Sequence, residues 1–250
     1  MIEKGKKPLI FRIIRKIVKV FYIKVDVVGN IENTNNGHFY ISNHAQLHGP
    51  LSLYLYFPQP KYIWVIGDMC NRKEVYPYAM KDFWGNKHKA VKWIYRIFAK
   101  LIVAPLAPFL FKHAQTIPVY KDSRLRQTFR ETLKCLCEGE NIIIFPESRE
   151  KYNQFINKFQ TRFVDIARPY YNKTKVKAKF YPVYTCPYLK KVIIGKPIEF
   201  NPENKLEYER ERIINYLETQ ITNIGNSLPN HKIVPYDNIS KKFYPYSKGD

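Results

Sequence analysis

The chain reads as a single α/β domain in which a mixed, largely parallel central sheet is flanked by helices. Short unbroken apolar runs, of which Asn141 to Phe145 is the clearest, have the Ile-rich character of strands buried on both faces. Between them lie stretches whose apolar residues recur at helical spacing, with no internal repeat and no obvious linker. Two of the apolar runs end on polar residues capable of chemistry. Open α/β sheets build their sites in this way, at the carboxyl ends of strands.

Each element can be justified in turn. Residues 8–23 read as a helix opened by Pro8, a residue tolerated in a first turn. Arg12, Arg15, Lys16 and Lys19 form one basic stripe on it, and the rest is almost wholly apolar. Such a helix suits the surface of an anionic bilayer, and equally a terminal helix packed on the domain with its cations in water. Strands follow at 24–28 and 38–42, joined by an Asn/Gly turn, then a short helix at 50–56 and a strand at 62–66. Residues 70–112 read as two helices and a loop. A strand at 117–120 leads to a helix at 123–137 that Asp122 or Ser123 can cap. Residues 154–170 read as a helix, followed by strands near 176–184 and 191–195. The last long helix starts at Asn201-Pro202, with an apolar stripe at Leu206, Ile213, Leu217, Ile221 and Ile224. Segment 1–23 is thus an amphipathic basic helix, 24–227 the α/β domain, and 228–250 a tail without period.

Composition narrows the function classes. With 45% hydrophobic and 16% aromatic residues in 250, the chain is globular and long enough for a sizeable core. Its 42 Lys and Arg against 21 Asp and Glu leave a formal charge of +21. That excess suits an anionic partner, whether nucleic acid, an anionic bilayer or an acidic protein, although a general richness in Lys, Asn, Ile and Tyr could also produce it. Cys70, Cys135, Cys137 and Cys186 lack zinc spacing, so reduced cytosolic thiols are expected. Arg and Lys break the first apolar segment, so no cleavable signal peptide is expected. No run reaches the roughly 20 apolar residues of a spanning helix. The nearest, Ile102 to Phe111, is short, holds Pro105 and Pro108, and suits either a dip into the interface or a lining of the core.

Ser42-Asn43-His44 ends one apolar run and Phe145-Pro146-Glu147 another. The first supplies an imidazole able to take a proton near neutral pH, the second a carboxylate. Duller readings stand beside these: Asn43 as a turn cap, Glu147 as a structural ion-pair partner, and Lys121 and Arg149 as part of a solvated basic face. His44 and His48, four apart, could share a helix face and a metal, but no third ligand cluster is evident.

Taken in order, Ser42-Asn43-His44, Ile117-Pro118-Val119-Tyr120-Lys121, Ile144-Phe145-Pro146-Glu147, Tyr181-Pro182-Val183 and Ile194-Gly195-Lys196-Pro197-Ile198 resemble the blocks of the glycerophosphate/lysophospholipid acyltransferase family over residues 25–200. The stretch Val27-Val28-Gly29-Asn30-Ile31-Glu32-Asn33, after a basic apolar helix, is similar to the start of that family's domain. The resemblance implies an acyltransferase-like fold and transfer from a thioester donor, acyl-CoA or acyl carrier protein, to the hydroxyl of a glycerophosphate lipid. It implies His44 as general base and Phe145-Pro146-Glu147 as part of the acceptor site. Lys121 falls where the family carries an arginine for the acceptor phosphate, keeping the charge without the bidentate fork. Asn43 and Arg149 are further candidate substrate contacts, and no metal or organic cofactor is implied.

Two departures stand out. The family's aspartate, five residues after the histidine, is here Gly49, so His48, Asp68 or Glu147 become candidates to support His44. In the third block Ser148 replaces a glycine and Arg149 comes one residue early. The expected partners are an anionic membrane surface, the acyl donor and a lysophospholipid acceptor, with the protein peripheral on the cytoplasmic face. A lipid-binding relative that has lost catalysis is the alternative. Nucleic-acid binding is the remote one, since the chain carries no recognition motif.

Overall fold

A computed structural model describes residues 7–32, 35–85 and 88–249. Residues 1–6, 33–34, 86–87 and 250, parts of the expected segments 1–23, 24–227 and 228–250, lie outside the described residues. The chain is α/β, with a mixed, mostly parallel sheet flanked by helices. Its contacts divide it into two compact units where the sequence predicts one domain: Met1–Val18 with Ile63–Glu131, and Lys19–Tyr62 with Thr132–Asp250. The excursion from Ile63 to Glu131 makes most of its contacts within its own unit.

In chain order the elements are α1 (Leu9–Phe21), β1 (Asp26–Gly29), β2 (Phe39–Ser42), α2 (His48–Tyr56), β3 (Lys61–Ile66) and α3 (Arg72–Asp82). Next come α4 (Lys89–Phe98), α5 (Ala104–His113), β4 (Thr116–Val119), α6 (Leu125–Cys137) and β5 (Asn141–Ile144). Then follow β6 (Glu147–Lys151), β7 (Asn157–Phe159), α7 (Ala167–Thr174), β8 (Lys179–Cys186), β9 (Lys191–Ile194), β10 (Ile198–Glu199) and α8 (Leu206–Ser227).

In the unit containing residues 132–250, the strands run β1-β9-β8-β2-β5, parallel except for the β8–β9 hairpin, with β10 antiparallel on β8. Every residue of β2 and β5 is buried, as their unbroken apolar sequences require. Stacked cross-strand rings fix the β2–β8 register: Phe39 on Phe180 and Tyr40 on Tyr181, each pair with centroids 4.7 Å apart. Strands 24–28 and 38–42, read as successive, are not neighbours. β1 pairs with β9, whereas β2 lies between β8 and β5.

Two local expectations are corrected. Residues 154–170 do not form one helix. The hairpin β6–β7 and a 3₁₀ turn at Arg162–Ile166 precede the short α7. Asn153 breaks the helix, because its Oδ1 accepts the N–H groups of Phe155 and Ile156 at 2.8 and 3.1 Å. The last helix begins at Leu206, because residues 201–205 form a turn held by the buried Glu209 carboxylate, which accepts from the Asn201 N–H and the Asn204 amide. In the other unit, β3 and β4 form a parallel pair. There the two helices expected over 70–112 are α3 and a continuous helix, Lys89–His113, in which α4 and α5 are joined by a π turn at Ala99–Val103. The wide turn relieves the clash that Pro105 would make with the carbonyl four residues earlier.

The tail is not loose. Residues 231–247 double back on themselves, with Ile233 donating to the Pro245 carbonyl at 2.8 Å and Ser247 to His231 at 2.9 Å. Val234 and Tyr244 bury Ala45, two residues beyond Asn43.

Candidate active site

The β2–β5 register sets Ile41 opposite Ile144, so both chain segments leave the sheet at the same edge. Asn43-His44 and Pro146-Glu147 are therefore neighbours, as carboxyl-end placement predicts. Asn43 is buried, and both ends of its amide are taken by β8. Nδ2 donates to the Thr185 carbonyl at 3.1 Å, and Oδ1 accepts the Thr185 N–H at 2.7 Å. The Ser42 hydroxyl lies 3.2 Å from that of Thr185. Asn43 thus pins the end of β2, its side chain buried against β8.

Beyond it the backbone makes an unusual turn. Ala45 and Gln46 adopt φ of 44° and 55°, the left-handed region in which side chains cost on the order of 1 kcal/mol each. Surrounding contacts impose it. His48 and Gly49 donate back to the carbonyls of Ala45 and His44, each at 3.0 Å. The Gln46 side chain is gripped by the tail, donating to the Asp237 carbonyl and accepting from the Tyr244 hydroxyl, both at 3.1 Å.

The turn's product is the pose of His44. Its Nδ1 is hydrogen-bonded to the Gln46 carbonyl. A carbonyl only accepts, so Nδ1 carries the hydrogen and Nε2 the lone pair. The ring is largely buried, with Phe145 tilted at 5.4 Å and Tyr236 edge-on at 5.8 Å. Burial holds its pKa below the ordinary histidine value, which favours the neutral base.

Glu147 does not reach the imidazole. Its buried carboxylate accepts the backbone N–H of His44 on one oxygen and that of Asn157, at 2.8 Å, on the other. Burial raises its pKa to about 7, against the lowering pull of those two N–H donors. It clamps the His44 loop to the β6–β7 hairpin.

Gly49 stands where the family that the chain resembles carries an aspartate. A Cβ there would meet the Asn43 and His44 carbonyl oxygens, each at 2.6 Å, and the Phe145 ring at 2.9 Å. The position has no room for a side chain. The carbonyl of Gln46, two residues from His44, is what fixes the imidazole.

The other expected residues are dispersed. His44 lies in the turn and His48 opens α2, so they do not share a helix face. His48 Nδ1 is 3.0 Å from the Tyr22 hydroxyl, which also lies 3.1 Å from Ser52 Oγ. Arg149 is exposed on β6. Lys121 and Asp68 belong to the other unit, Lys121 exposed in the turn after β4. Nearby Arg124 is engaged by Asp122 and Glu74. Among the described residues no group of three or more His, Cys, Asp or Glu is placed to hold a metal. A surface depression of about 340 Å³, lined by Tyr152, Asn153, Thr219, Thr222 and Asn223, contains none of these residues. Sequence reasoning missed Gln46, Thr185, Asn157, Tyr236 and Tyr244. Gln46 acts through its backbone carbonyl, which no residue type advertises. No protein-family model matches the chain, and no curated protein or solved structure matches it.

Proposed function

We propose that this protein is an acyltransferase peripheral to the cytoplasmic face of a membrane, moving a fatty acyl group from acyl-CoA or acyl carrier protein to the hydroxyl of a (lyso)glycerophospholipid. The observation that carries the reading is His44, a neutral imidazole fixed with its lone pair on Nε2 at the carboxyl end of a buried strand. The ordered blocks shared with the glycerolipid acyltransferases support it. In the proposed step Nε2 takes the acceptor hydroxyl proton as the oxygen attacks the thioester carbonyl. The C–O bond forms, the C–S bond breaks, and the imidazolium returns the proton to the departing thiolate. The Gln46 carbonyl stabilises the imidazolium less than an aspartate would, so slow turnover is expected. Arg149 is the proposed phosphate contact, and the basic, apolar α1 is the proposed surface anchor.

Gly49 favours a second reading, a lipid-binding protein that has lost catalysis, because its surroundings exclude a carboxylate. The two separate on one experiment. Wild-type protein, anionic vesicles and either donor are incubated with a lysolipid panel, and products are read by mass spectrometry. A diacyl product supports the enzyme. Vesicle binding without product supports the second reading.

A further inference from the structure

The helix Lys89–His113 has two unlike sides. Its inner side carries the buried small residues Ala99, Ala104 and Ala107, the last two packed with Met69 and Val75 of the same unit. Its outer side exposes Trp93, Ile94, Ile97, Phe98, Leu101 and Ile102, with Trp93 58% and Leu101 68% exposed. Spacings of three and four place these on one stripe. Six large side chains about half exposed make an apolar area on the order of 500 Å², at the upper end of what soluble monomers show.

Charge identifies the occupant. Lys89, Lys92, Arg96 and Lys100 recur at three and four along the same helix, beside the apolar stripe. No Asp or Glu occurs between Asp82 and Asp122. A second copy of a chain carrying +21 would be repelled, and a groove that enclosed a basic amphipathic helix would need the inner side that Ala104 and Ala107 already pack against Met69 and Val75. Anionic head groups over acyl chains satisfy both halves. The buried alanine side holds the helix against its unit, which favours a helix lying in the interface over one surrounded by lipid.

We infer that Lys89–His113 is a membrane-penetrating element, lying in the interfacial plane with the Trp93–Ile102 stripe among acyl chains and its lysines among anionic head groups. The inference rests on the membrane-surface part of the proposed function and not on its chemistry. It names the penetrating stripe as Trp93 to Ile102, where the sequence offers α1 and, as one of two readings, the segment Ile102 to Phe111.

The test uses full-length protein without acyl donor, on vesicles containing phosphatidylglycerol. Brominated acyl chains are expected to quench the tryptophan fluorescence of the wild type, and Trp93→Phe is expected to remove most of the quenched component. Ile97→Glu with Leu101→Glu, both at exposed positions, is expected to reduce vesicle partitioning at least tenfold with the circular dichroism unchanged. Quenching that persists in Trp93→Phe would overturn the inference. So would partitioning of the double variant equal to wild type, or a wild type that does not bind vesicles. A protein that binds through this stripe yet transfers no acyl group would remove the enzyme reading and leave this one standing.

Discussion

Replacing Gly49 by alanine sets two effects of opposite sign against each other. Gly49 lies in the first turn of α2 without positive φ, so helix propensity alone favours alanine by up to about 1 kcal/mol. Packing opposes it. Two of the three atoms the Cβ meets are backbone oxygens at 2.6 Å, and both are already engaged. The His44 carbonyl accepts the Gly49 N–H, and the Asn43 carbonyl accepts the Ser42 hydroxyl. Neither can swing aside as a flexible side chain would. Overpacking of a tight core costs roughly 1–3 kcal/mol, with the upper half expected here. The net loss is about 1–2 kcal/mol, a fall of roughly 2–8 °C in Tm for a chain of this size. Gly49→Asp adds a buried carboxylate without a partner and should lose roughly 3 kcal/mol more. Thermal and urea denaturation of the three proteins measure this directly. A Gly49→Ala variant more stable than wild type would refute the steric account, as would a Gly49→Asp variant that folds normally and transfers acyl groups faster.

Other outcomes follow from the same geometry. Asn43→Ala strips partners from both the Thr185 N–H and its carbonyl, and should destabilise by roughly 2–4 kcal/mol in urea denaturation. Glu147 holds its proton longer when folded, its pKa rising from 4.5 to about 7. In that window the native state binds more protons than the unfolded one, so this group's contribution to stability is greatest below pH about 4.5 and is lost as pH rises through about 7. The Tm of Glu147→Gln minus that of wild type should therefore climb between those pH values; a flat difference would contradict the buried-carboxylate account. Because burial lowers the His44 pKa, the acidic limb of kcat/KM for acyl transfer should lie below pH about 6.5, the ordinary histidine value.

The sequence is most informative where burial and period coincide. β2 and β5 are legible because continuous apolar runs bounded by polar residues have few alternatives, and those runs led to His44 and Glu147. The 154–170 stretch was misread because Phe155, Ile156 and Phe163 imitate a helical stripe, while the deciding bonds are made by the Asn153 side chain and the Glu147 carboxylate. Residues 70–112, read as two helices and a loop, hold α3 and the helix Lys89–His113, whose bounds are hard to read because Pro105 and Pro108 interrupt its pattern and only the π turn accommodates Pro105. The orientation of His44 lay beyond composition altogether. It depends on two left-handed residues, neither a glycine, and on tail contacts from about 190 residues away in sequence.

The most direct test of the account is acyl transfer by wild type and His44→Ala side by side on anionic vesicles, with acyl-CoA and acyl carrier protein each offered as donor and lysophosphatidic acid as acceptor. The account predicts product from the wild type and a fall of at least about a hundredfold in the variant, the loss expected on removing a general base, with unchanged vesicle binding. Equal transfer by both proteins, or none by a wild type that still binds vesicles, would contradict it.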